Sequence, residues 1–233
     1  MTKSGSNTTP IGFLLCMQHA EAEFFRVLLG GFEPAWMSRV GSLPELVHKV
    51  DGLKGPARLI SFCSNIILPK PLLDRLDGQC FNFHPGPPER PGYRPAAFAA
   101  ADRDRSFGVT FHSMIEEVDA GPIHALRQFS VEDPADEEAI SVAAYGHLLW
   151  LAAEVADQLG DPNHQFEQLP IGWGRARTTR RHYLALTLSP PERVATRSPI
   201  QPLAKFAGDH RPRATQRSHI PPLYIAKDKG KGE

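Results

Sequence analysis

The sequence predicts an α/β fold: a Rossmann-like, mostly parallel sheet with helices on both faces, an antiparallel end and a short irregular C-terminal tail. Three observations carry this. Short apolar runs alternate with helix-like stretches through the first half of the chain, the pattern of successive βαβ units with right-handed crossovers. Two later strand-like stretches, 107–115 and 123–131, are joined by a loop short enough for antiparallel pairing. Beyond residue 189 the chain is rich in proline and charge and has little periodicity.

Taken in order, residues 1–9 are small and polar and predict a disordered start. Residues 11–17 are continuously apolar, as a strand buried on both faces is. Residues 20–29 suit a helix closed by Gly30-Gly31. A second strand is expected over 36–40, a helix over 43–50 opened by Ser42, and a third strand over 57–63. Residues 69–76 read as a helix, Gly78-Gln79 as a turn, and residues 80–84 as the next strand. The alanine-rich stretch 95–102 reads as another helix. The largest helix is expected from the acidic start at Asp136 to Gly160, with Ile140, Ala144, Leu148, Leu151, Val155 and Leu159 recurring at helical spacing. The organisation expected is therefore a disordered start at 1–9, a catalytic domain over 10–185 and a proline-rich, charged tail over 186–233.

The bulk numbers exclude several classes. The 233 residues carry 26 Lys plus Arg against 26 Asp plus Glu, so no global charge recruits nucleic acid or an anionic membrane. No run reaches the ~18–20 apolar residues of a membrane span. Cys16, Cys63 and Cys80 are odd in number, lack C-x-x-C spacing and sit in apolar runs, which predicts small buried side chains in a reducing, cytoplasmic setting. His84, His112 and His124 lack a zinc-ligand spacing, and no metal is expected. Nothing in the sequence specifies an oligomeric state.

The chemistry concentrates in Cys80-Phe81-Asn82-Phe83-His84-Pro85 and, some thirty-five residues later, Val118-Asp119-Ala120-Gly121. On a strand, Asn82 and His84 are two apart and share a face, while Phe81 and Phe83 point the other way. Asn82 offers amide N–H groups, His84 can donate a proton or a hydrogen bond, and Asp119 can accept a proton. Such a set suits acyl transfer to an amine, with the first two stabilising an oxyanion and the third managing the proton. It needs no nucleophilic serine or cysteine.

Asn82-Phe83-His84-Pro85, Gly108-Val109-Thr110-Phe111-His112 and Asp119-Ala120-Gly121-Pro122-Ile123, in this order and spacing, with Ile67-Leu68-Pro69 upstream, resemble the 10-formyltetrahydrofolate-dependent formyltransferases. The similarity covers roughly residues 11–159. It implies that Asn82, His84 and Asp119 are the catalytic triad, that His112 supports Asp119, and that the pterin of 10-formyltetrahydrofolate is held by the backbone at Ile66, Ile67 and Leu68 and by Glu117, Val118, Ala120 and Gly121. It also implies a small-molecule or sugar-nucleotide-like amine as acceptor. Where the family continues His-Pro-Ser-Leu-Leu-Pro and then Tyr-Arg-Gly, this chain has His84-Pro85-Gly86-Pro87-Pro88-Glu89-Arg90-Pro91-Gly92-Tyr93-Arg94-Pro95, and Gly86, Tyr93 and Arg94 are expected on the acceptor side. The same site could instead hydrolyse 10-formyltetrahydrofolate, or bind folate without turnover. The arginine-rich stretch 174–183 reads more readily as a solvated face than as an anion site.

Overall fold

The computed structural model describes residues 9–174, 176–188 and 223–225. Its sheet has the order β2-β1-β3-β4-β5-β6-β7. Strands β1 (Gly12–Cys16), β2 (Trp36–Val40), β3 (Ala57–Phe62) and β4 (Cys80–His84) are parallel, and β5 (Ser106–Ser113) and β6 (Ile123–Ser130) follow antiparallel. The order reverses at β1, which has β2 on one side and β3 on the other, so the crevice at the carboxyl ends of these strands is where an open α/β sheet takes its ligand.

Side-chain alternation builds the two layers. Phe13, Leu15, Ile60, Phe62, Phe81, Phe83 and Phe111 pack beneath helices α1 (His19–Gly30), α4 (Pro95–Asp102), α5 (Glu137–Glu154) and α6 (Ala156–Gly160). On the opposite face Leu14, Cys16, Leu59 and Cys80 meet α2 (Leu43–Asp51) and α3 (Lys70–Arg75). Strand β4 thus sends two phenylalanines into the larger core, which leaves Asn82 and His84 on the other face.

Helix ends follow local chemistry. Ser42 accepts a hydrogen bond from Glu45 N to open α2, and Asp136 accepts from Ala139 N at 2.8 Å to open α5. The long helix expected over 136–160 divides at Val155 into α5 and α6. Backbone bonds from Val155 N to Leu151 O and from Leu159 N to Val155 O meet at this residue, which ends α5 and opens α6.

Several features differ from what the sequence suggested or were not suggested by it. Cys63 was expected to be buried, but β3 stops at Phe62 and Cys63 turns outward with φ 49 and is exposed; Cys16 and Cys80 are buried. Arg58, in the middle of β3, has no exposed surface. Its guanidinium donates to the carbonyls of Gln158, Leu159, Asp161 and His164 and to Gln79 Oε1, at 2.7 to 3.2 Å, and so caps the end of α6. The basic stretch yields an unforeseen helix, α7 (Arg180–Thr187), opened by Thr179 accepting from His182 N. No residue of α7 is buried, which explains why no apolar period announced it. The expected disorder of residues 1–8 and most of the expected irregular tail lie outside the described residues. Within that tail, Leu223–Ile225 forms β7, antiparallel to β6. Among the described residues, no helix is long and apolar enough to cross a membrane.

Candidate active site

Four side chains named from sequence meet at the carboxyl end of β4. Asn82 lies directly opposite His112 on β5. Its amide donates to His112 Nε2 at 3.1 Å and, more weakly, to Asp119 Oδ1 at 3.5 Å. His112 Nδ1–H donates to the Ser113 carbonyl at 2.8 Å, which leaves Nε2 as the acceptor for Asn82. Asp119 reaches the cluster from the β5–β6 loop with a left-handed backbone, φ 49, a conformation Asp tolerates better than most residues. Its Oδ2 lies 3.2 Å from His84 Nδ1 and accepts from Gly92 N at 2.8 Å, while Oδ1 lies 3.4 Å from His112 Nε2.

The loop after β4 covers this cluster. His84 is only 3% exposed, and its Nε2 faces the Arg90 carbonyl at 3.1 Å. Arg90 is pinned by its side chain, which donates to Asp104 Oδ2 at 2.7 Å and Asp102 Oδ2 at 2.9 Å. Gly86 permits the covering: a Cβ there would stand 2.6 Å from His84 Nε2. The departure from serine after His-Pro therefore has a steric reason, because any side chain at 86 would strike the imidazole or Pro95.

These contacts set the charges. Burial alone would raise the Asp119 carboxyl, but the His84 and His112 imidazoles and the Gly92 N–H outweigh it and hold the group down to about 2. For His84, burial is the largest influence and lowers its basicity, against the opposing pull of the Asp119 carboxylate and the Arg90 carbonyl. Both partners of the ring are acceptors, which favours the doubly protonated form. Burial favours the neutral one, and the net direction is down because the site is nearly dry. When protonated, such a ring is a stronger acid, and a stronger hydrogen-bond donor, than an ordinary histidine.

A pH dependence of stability follows. Asp119's folded value lies below its ordinary 3.8, so its contribution, on the order of 2 kcal/mol, is present above pH 3.8 and lost as the pH falls through about 2. His84 is depressed from 6.5, so the folded state binds fewer protons and stability begins to fall once the pH drops below 6.5. Urea unfolding from pH 7.5 to 5 should show this first decline in the wild type and a flatter profile in His84→Gln. Identical slopes for the two proteins would contradict the assignment to His84.

Beside the cluster lies a cleft of about 370 Å³, within the usual range for small-molecule sites. It is lined by the loop residues Glu117, Val118, Asp119, Ala120 and Gly121 and, from later in the chain, by Gln168, Ile171, Trp173 and Arg177. The cleft thus contains the loop half of the expected pterin-binding set. Ile66 and Leu68 instead belong with the small core on the α2–α3 side, against which Met114 at the head of the Asp119 loop also packs, and Ile67 is exposed. Of the expected acceptor-side residues, Gly86 lies under His84. Tyr93 packs edge-on against Tyr183, with ring centroids 5.8 Å apart. Arg94 pairs with Glu137 at 2.5 Å and lies over the Tyr183 ring at 4.9 Å. Neither Tyr93 nor Arg94 lines the cleft. Of the arginine-rich stretch, Arg177 donates to the Val118 carbonyl at 3.4 Å; Arg175 lies outside the described residues. Among the described residues, no group of three or more His, Cys, Asp or Glu is placed to hold a metal ion. His124 is turned away, its ring joined to Ser113 Oγ and the Glu167 carbonyl.

Trp173 was not named from sequence. Its indole stands edge-on to both His112, at 4.8 Å, and His84, at 5.6 Å, and its Nε1–H donates to the Gly121 carbonyl at 2.7 Å. The available signal was a tryptophan between two glycines in an otherwise basic stretch.

Residues 12–147 match a family model described as formyl transferase. A search of curated proteins finds no match. Among solved structures, a sugar N-formyltransferase from a Shewanella species is 17% identical with a TM-score of 0.62, over 76% of this chain and 79% of that one. A 4-N formyltransferase from Francisella tularensis is 19% identical with a TM-score of 0.62, over 75% and 78%. The formyltransferase PseJ from Anoxybacillus kamchatkensis, in complex with UDP-4,6-dideoxy-4-formamido-L-AltNAc and tetrahydrofolate, is 16% identical with a TM-score of 0.61, over 79% and 97%. At these identities the structural likeness speaks to the fold.

Proposed function

From the premise that this chain belongs to the formyl transferase family, we propose that it transfers the formyl group of 10-formyltetrahydrofolate to a primary amine on a small, sugar-nucleotide-like acceptor. The observation that carries the reading is the meeting of Asn82, His84, His112 and Asp119, joined by contacts of 3.1 to 3.5 Å, at the edge of a cleft of small-molecule size. The acceptor class rests on the family and on the sugar-nucleotide product held by one of the solved structures above.

In this reading the amine nitrogen attacks the formyl carbon and the carbonyl oxygen becomes an oxyanion. The Asn82 N–H that now makes the long 3.5 Å contact to Asp119 turns to that oxygen, since it is the weakest bond in the cluster. When protonated, His84 supplies the second donor through Nε2 once the Arg90 carbonyl withdraws. Donors so placed contribute about 2.7–4 kcal/mol each to the transition state. Asp119, held ionised by its neighbours, takes the amine's proton directly or through a water molecule, and the N10–carbon bond breaks as N10 takes up a proton in its place and leaves as tetrahydrofolate. His112 orients the Asn82 amide, and the loop 117–121 offers its backbone to the pterin.

The covering of His84 by residues 86–94 favours, as a second reading, a module that binds folate without turnover. One experiment separates the possibilities: the full chain is incubated with 10-formyltetrahydrofolate and a panel of amino-sugar nucleotides, with products followed by mass spectrometry and formate measured enzymatically. Formylated amine is expected. Formate alone would identify a hydrolase, and calorimetric folate binding with neither product would identify the binding module.

A further inference from the structure

The family match ends at residue 147, yet Gln168, Ile171, Trp173 and Arg177 also line the cleft. This later stretch is fastened to both loops of the site. Gly174 N donates to Pro88 O at 2.7 Å, Thr178 N to Pro91 O at 2.9 Å, and Tyr93 N to Thr178 O at 3.0 Å. The Thr178 hydroxyl donates again to the Pro91 and Tyr93 carbonyls. The approach is backbone against backbone. A Cβ on Gly92, whose φ is +99, would stand 2.2 Å from Thr178 O, and one on Gly174 would stand 2.7 Å from Glu89 O. On its other side the stretch is tied to the Asp119 loop through Trp173 Nε1–H and the Gly121 carbonyl. The indole is thus held between two loops, edge-on to the His84 and His112 imidazoles.

We propose that Trp173 is a positioning residue of this site: it fixes the His84 and His112 rings and shields the formyl carbon from water, so that an amine rather than water completes the reaction. This rests on the formyl-transfer reading. The competing reaction is defined chemically. Water oxygen bonds to the formyl carbon, the carbon–N10 bond breaks, and formate and tetrahydrofolate leave, with N10 taking up a proton. An aromatic wall against the histidines removes the volume from which that water would attack. It also accounts for part of the dryness that lowers the basicity of His84, whose other titratable neighbours are Asp119 and His112.

The test uses the full chain carrying Trp173→Phe, Trp173→Leu or Trp173→Ala. In an NMR titration, with the His84 signal assigned by its loss in His84→Gln, Trp173→Ala is expected to raise the His84 midpoint by roughly half a unit or more as water enters, while Trp173→Phe stays near wild type. With an amine acceptor, the ratio of formate to formylated product is expected to rise about tenfold or more in Trp173→Ala and to stay within about threefold in Trp173→Phe. Trp173→Leu substitutes for the alanine variant if that protein does not fold. An unchanged His84 midpoint, or lower turnover at an unchanged product ratio, would reduce Trp173 to a structural residue and overturn the proposal. If the wild type forms no formylated amine, the transfer reading fails, while the titration still decides whether Trp173 controls His84.

Discussion

Replacing Asp119 with asparagine should lower formyl transfer by about 10²–10⁴-fold, the range associated with losing a positioned proton acceptor. Asparagine keeps an oxygen for the Gly92 N–H that Asp119 now accepts at 2.8 Å, so the loop should stay docked. On the proposed mechanism the loss should appear in kcat rather than in folate affinity, because a proton acceptor there would act only once the amine nitrogen begins to gain positive charge. His84→Ala should be comparably impaired, and combining the two should add little if they act on one transition state. Single-turnover rates with bound 10-formyltetrahydrofolate, alongside thermal melts, would check this. Turnover within about threefold of wild type in either variant would remove that residue from the chemistry.

The second large effect is expected far from the cleft. Arg58→Ala should cost on the order of 4 kcal/mol, since it removes a buried cation and leaves several carbonyls at the end of α6 without a donor in a dry environment. For a chain of this size that corresponds to a fall of roughly 8–16 °C in Tm. Arg58→Lys should recover little, because a single ammonium cannot span acceptors arranged around a planar fork. Denaturant unfolding would give the number, and a loss below about 1 kcal/mol would show that water can replace the guanidinium.

What the sequence made legible, and what it hid, divides by the reach of the contacts. The parallel strands announced themselves as apolar runs, and alternation alone placed Asn82 and His84 on one face and Phe81 and Phe83 on the other, because that periodicity is a property of a single strand. The loop carrying Asp119 was legible from motif order. Arg58 was not, since a lone charge in an apolar run carries no sign of carbonyls a hundred positions away that will surround it. Trp173 was hidden for the same reason: it gains its meaning from His84 and His112, which lie far from it in the chain. The division at Val155 left no mark because the apolar spacing of α5 runs on into α6. Helix α7 was missed for lack of any buried face, and Cys63 was misread because an apolar run does not reveal where its strand ends.

The bond from the Thr178 hydroxyl to Pro91, which joins residues 87 positions apart, also bears on the order in which the protein assembles. The first six strands, including the one that carries Asn82 and His84, lie within the first 130 residues, whereas the loop over His84 is fastened by a segment made later. Closing so long a loop is entropically slower than pairing neighbouring strands. The surroundings of the histidine are therefore complete only once Gly174 and Thr178 have docked on Pro88, Pro91 and Tyr93.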